Sequence, residues 1–151
     1  MVTPDQDPIR QAITKEFFRV VVENPDVYEL FLSPVTVAEL DKAKTKEKQK
    51  ANAAFLETFH YTELSKNSEA ENLARIYSID GVLSQAHLDD LRHVAYAVAA
   101  RCDYVVSWNM RHLANDRTEM RVNRVNANEN YAKITIVNPE HFTKGDSYGK
   151  R

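Results

Sequence analysis

Glycine is almost absent from this chain. It occurs 3 times in 151 residues, and Gly145 and Gly149 both lie in the C-terminal tail. A chain with so few permissive backbone positions cannot be built from tight hairpins, which depend on positive-φ residues. Long amphipathic stretches fill the space instead, so helices are expected to dominate. Hydrophobic residues at 43% and charged residues at 28% match an ordinary globular protein and exclude extended disorder. At this length the chain reads as one domain, over 1–142, followed by a loose polar tail, 143–151.

Helix starts are written plainly. Asp7-Pro8 places a capping carboxylate before a proline suited to the first helical position. Ile9, Ala12, Ile13, Phe17, Val20 and Val21 then keep the helical period to about Asn24. Ser33-Pro34 repeats the device and opens a helix to about Lys44. Thr45 to about Tyr61 forms another, and Asn67 or Ser68 caps the next, which Asp80-Gly81 ends. His87 to Arg101 is rich in Ala and Val around most of its circumference and is expected to be buried. A weaker helix covers Thr118 to about Asn128. Val27–Leu32, Asp103–Trp108 and Lys133–Val137 read as strands. Strands separated by helices predict a mostly parallel central sheet covered on both faces.

The net charge is -2, so contact with a polyanion would have to come from a local patch. The run Lys42, Lys44, Lys46, Lys48 and Lys50 is one candidate, but alternate spacing spreads it around a helix as a solvated surface. Trp108 and the tyrosines could stack on bases, though core packing is the better account of each. Cys102 stands alone, which leaves no disulfide and no cysteine-based zinc site. The chain has no apolar run long enough to span a bilayer and no signal-peptide core, which predicts a cytoplasmic protein without membrane contact.

Three segments carry side chains suited to chemistry. Glu39 borders the apolar stripe of the Ser33-Pro34 helix. It is either a metal or acid–base group, or a surface charge. Asp90 and His93 share a face of a nearly all-apolar helix, where a carboxylate needs a partner. That partner is either Arg92, His93 or a distant lysine, or else a divalent cation. Alternatively, Asp89 and Asp90 simply favour the helix N-terminus. Ser107 and Asn109 follow a buried strand, where open α/β sheets keep their ligand sites, although both are also common turn residues.

Together, Val-Thr-Val-Ala-Glu39-Leu, Asp90-Leu-Arg-His93-Val-Ala-Tyr-Ala97, Asp103-Tyr-Val-Val-Ser-Trp-Asn109-Met-Arg-His112-Leu and the closing Pro-Glu-His-Phe142 resemble the PIN domain in order and spacing. The resemblance implies a three-layer α/β/α domain and a metal-dependent ribonuclease, often the toxin of a toxin–antitoxin pair. It implies Glu39, Asp90 and Asn109 as catalytic and Mg²⁺- or Mn²⁺-binding residues. It gives Asp103 a structural role, and His93 and His112 packing or supporting roles. RNA, an antitoxin protein and a second copy of the chain are the implied partners. Oxygen ligands suit a hard cation. The family's opening strand, which ends in a metal-binding Asp, is missing from the seven residues before Pro8, where only Asp5 and Asp7 are acidic. The resulting expectation is impaired catalysis with weak or absent metal binding. The other reading is a non-catalytic scaffold used for binding or dimerisation.

Overall fold

The computed structural model describes residues 7–43 and 45–143. The segment before Asp7, with Asp5 and most of the place of the expected first strand, lies outside these residues. So do Lys44 and all of the tail beyond Thr143. The chain divides into two compact units, one running to Glu63 and resuming at Pro139, the other Leu64–Asn138.

The first unit begins with α1 (Pro8–Glu23), where the Asp7 carboxylate accepts from the Arg10 backbone N–H at 2.9 Å. Its core-facing residues are Thr14, Phe17, Phe18, Val20 and Val21. The apolar stripe read from sequence thus turns inward one turn late, leaving Ile9 73% exposed. Thr14 enters the interior because its hydroxyl donates back to the Arg10 carbonyl at 2.7 Å. Next come β1 (Phe31–Leu32) and α2 (Pro34–Asp41), which Ser33 caps by accepting from Thr36 N–H at 3.1 Å. Thr45 caps α3 (Lys46–Leu56) in the same way.

That helix stops short of the expected Tyr61. The chain turns after Leu56, and Thr58 donates its hydroxyl to the Phe55 carbonyl at 2.6 Å. This frees β2 (Thr62–Glu63) to pair in parallel with β1. An aromatic cluster fills the unit. Phe18 meets Phe55 at 5.0 Å and Phe59 at 4.9 Å, while Phe142 meets Phe17 at 5.4 Å and Tyr28 at 5.6 Å. Such edge and tilted contacts suit the ring quadrupole.

The second unit holds α4 (Ser68–Ile79), a short 3₁₀ turn (Gln85–His87), α5 (Leu88–Ala99), β3 (Tyr104–Val106), α6 (Asp116–Asn128) and β4 (Thr135–Val137). Asn67 caps α4 through two backbone N–H groups, and Gly81 takes φ +76° just past its end. Along α5 only Asp89 is exposed, as its composition predicts. Leu73, Tyr77, Leu91, Val94, Leu113, Val122 and Ile134 form the core with β3 and β4.

The β3 and β4 strands run parallel, with Val105 opposite Ile136. Side chains of α6 cover the outer edge of β4. Asn123 accepts from Ile134 N–H and donates to Ile134 C=O, both at 2.9 Å, and Glu119 accepts from Ile136 N–H at 2.7 Å. An edge strand is thereby closed by carboxylate and amide groups standing in for a neighbouring strand. The architecture is mixed α/β with parallel strand pairs. No helix among the described residues is long and apolar enough to cross a membrane.

Candidate functional site

The first turn of α5 and the loop after β3 meet in the second unit. Asp90 stands in the first turn of α5 with its side chain 26% exposed. Its Oδ2 accepts from the Asn109 side-chain amide at 3.1 Å. The same oxygen lies 3.5 Å from His87 Nδ1. His87, at the end of the 3₁₀ turn, packs its ring on His112 with centroids 4.2 Å apart.

Asn109 is fixed at every polar group. Its backbone N–H donates to Ser107 Oγ at 3.0 Å, and its carbonyl accepts from Leu113 and Ala114 N–H at 2.9 and 2.8 Å. Its side-chain oxygen accepts from His112 N–H at 3.2 Å. That contact orients the amide. Rotating it by 180° would set oxygen against the Asp90 carboxylate and NH₂ against a backbone N–H, losing both bonds. Asn115 then anchors the loop by donating to the carbonyls of Met110 and Arg111, and the Thr118 hydroxyl donates to the His112 carbonyl.

Two of the three sequence-predicted site residues, Asp90 and Asn109, are therefore in direct contact. Glu39 is an exposed residue of α2 in the first unit. Asp103 is exposed and its carbonyl accepts from Thr135 N–H at 3.1 Å, a role in strand pairing. His112 belongs to the cluster. Sequence reasoning passed over His87, although its position three residues before Asp90 was a usable signal. Arg92, considered above as a partner for Asp90, pairs elsewhere. Its guanidinium clamps Glu71 with two 2.9 Å bonds and reaches Asp89 at 3.1 Å. Tyr96 OH adds a 2.7 Å bond to Glu71. Arg92 holds the Glu71 carboxyl below the usual range; burial opposes it to a lesser extent, and Tyr96 adds a smaller lowering.

The donor set can be tested against the implied cation. A hard divalent ion asks for several oxygens turned toward one point. Here the Asn109 oxygen is turned away to His112, and its NH₂ donors are what meet Asp90. Among the described residues, no three His, Cys, Asp or Glu side chains group as a metal site. The Asp90–Asn109 pair as it stands does not fit the ion. Comparison of the chain with protein-family models, with curated proteins and with solved structures gives no match.

Proposed function

We propose that this chain is a cytoplasmic PIN-like protein of the metal-dependent ribonuclease superfamily, derived from a toxin, in which hydrolysis of RNA phosphodiesters is impaired. Its architecture on this reading is the three-layer α/β/α domain with a mostly parallel central sheet. The observation that carries the reading is the Asp90–Asn109 contact. Residues from two separate motifs, 19 positions apart, come together beyond the end of β3. Polar groups just past the carboxyl ends of parallel strands are where α/β proteins keep ligand sites.

The same contact supports impairment. A carboxylate that hydrolytic chemistry would reserve for a cation instead accepts a hydrogen bond from an amide and is faced by His87. Asp90 orients Asn109, and Asn109 ties the loop to α5. It also favours the second reading, a scaffold retained for binding RNA, an antitoxin or a second copy of itself. The test is cleavage of a mixed RNA pool with Mg²⁺ or Mn²⁺, comparing this chain with Asp90→Asn. Little cleavage by either is expected. Strong cleavage abolished by Asp90→Asn would sink the impairment and keep the family assignment. Cleavage indifferent to Asp90 would sink the site.

A further inference from the structure

Most helices of this protein give their arginines partners. In α1, Arg10 pairs with Asp7, and Arg19 with Glu16 and Glu23. In α4, Arg75 donates to Asn72, and in α5, Arg92 is held by Glu71 and Asp89. Helix α6 breaks the pattern. The side chains of Arg117, Arg121 and Arg124 make no hydrogen bond or ion pair with any described residue. Their i, i+4, i+7 spacing puts them within about 60° of one another around the helix, along a line of about 10 Å. Arg117 and Arg124 are exposed and Arg121 is half-buried. Of the two acids of α6, Glu119 is engaged with the backbone of β4.

Like charges at these spacings destabilise a helix, so an unrelieved row of three has a cost that an anion would remove. We propose that this face of α6 is a nucleic-acid-binding surface, on which Arg117, Arg121 and Arg124 take backbone phosphates of a single RNA strand. All three positions carry the guanidinium fork, which matches phosphate oxygens two at a time. One line of charge suits one strand; a duplex would call for two. An acidic protein partner would need an apolar core to the interface, and Met120 is the one large exposed apolar side chain on α6. Arg121 and Arg124 also line a cavity of about 240 Å³ with Asp80, Gly81, Val82 and Val125.

The choice of RNA rests on the ribonuclease-type reading, whereas the surface itself rests on the arginines. Fluorescence anisotropy with labelled single-stranded RNA, and with DNA of the same sequence, separates the two. For three phosphate contacts, affinity should fall roughly 20-fold between 50 and 200 mM salt. Arg117→Gln/Arg121→Gln/Arg124→Gln should remove that dependence, while replacement of all three by lysine should keep it. The single Arg117→Gln, at an exposed position, should lower the logarithmic salt slope by about 0.7 and covers the case in which the triple variant fails to fold. Equal binding of RNA and DNA supports the surface even if no RNA is ever cleaved. The proposal fails if neither binds, if poly-glutamate binds instead, or if the slope survives the triple glutamine variant. It also fails if the slope is lost only in Lys46→Gln/Lys48→Gln/Lys50→Gln.

Discussion

Asn109 donates its side-chain amide to Asp90 across 3.1 Å while its amide oxygen accepts from the backbone of His112 at 3.2 Å. The residue is therefore a strut between α5 and the loop after β3, and its two ends cannot be exchanged. Truncation tests this. Asn109→Ala leaves Asp90 short of a donor in a half-buried position and frees the loop, so a loss of about 1–2 kcal/mol is expected. Urea unfolding should give a lower midpoint with an unchanged slope.

Replacing the donor with a second carboxylate should convert the strut into a cation site. Asn109→Asp puts two negative charges at hydrogen-bond distance, which is unfavourable until a divalent ion sits between them. Thermal unfolding should show the variant less stable than the parent in EDTA. Millimolar Mn²⁺ should raise its Tm and leave the parent nearly unmoved. An equal rise in both proteins would mean that the parent already binds the ion well.

The buried Tyr77–Asn126 pair gives an alkaline signature. The Tyr77 hydroxyl lies 2.5 Å from Asn126 Oδ1, with both residues fully buried. Burial pushes the phenol far above its ordinary value of 10. The folded state thus keeps its proton at a pH where the unfolded chain gives it up. Stability is full below pH 10 and falls as pH rises beyond it. Tyr77→Phe should remove this tyrosine's share of the alkaline loss. At neutral pH it should cost about 1–3 kcal/mol, since Asn126 is left without its donor. Unfolding curves at pH 7 and pH 10.5 check both signs.

At the acid end the Glu71–Arg92–Tyr96 clamp titrates. The Glu71 pKa is held below its ordinary 4.5, chiefly by Arg92. The clamp's contribution is therefore complete above that value and is lost as pH drops through the lower, folded one. Glu71 is 39% exposed, so solvent screening limits the effect to about 1 kcal/mol or less. Glu71→Gln should be slightly less stable than the parent at pH 7 and should converge with it as pH falls through the lowered Glu71 value.

What the sequence made legible was local. Asp7 and Ser33 announce helix starts because a cap needs only three neighbouring residues, and both cap as expected; of Asn67 and Ser68 it is Asn67 that caps, and Thr45, read only as a helix start, caps as well. The strand β2 was invisible, being two exposed residues whose only signal is pairing with Phe31–Leu32, 31 residues earlier. Phe55 and Phe59 carried the helical period past Leu56 because both serve the aromatic cluster, one from the helix and one from the turn beyond it. Asp90 and Asn109 could be matched to motifs, but the direction of the Asn109 amide depends on where the loop puts His112 N–H, which no spacing encodes. His87 reaches the cluster through a 3₁₀ turn ahead of α5, where the sequence suggested only the start of a helix.

Glu39 provides the sharpest test of the family reading, because that reading requires it to share a cation with Asp90. The Asn109→Asp variant supplies the assay, since its Tm in Mn²⁺ reports ligands without requiring catalysis. Removing a carboxylate from the coordination set weakens the ion and reduces the stabilisation it confers, which scales with the logarithm of ligand concentration over Kd. Adding Asp90→Asn to that variant should abolish the Mn²⁺-dependent rise. The PIN-like reading calls for Glu39→Gln to cut it as well, while in EDTA the same change at this exposed position should shift stability by no more than about 0.5 kcal/mol. A full Mn²⁺ response in the Glu39→Gln background would detach α2 from the site and leave the Asp90 cluster to be explained by the second unit alone.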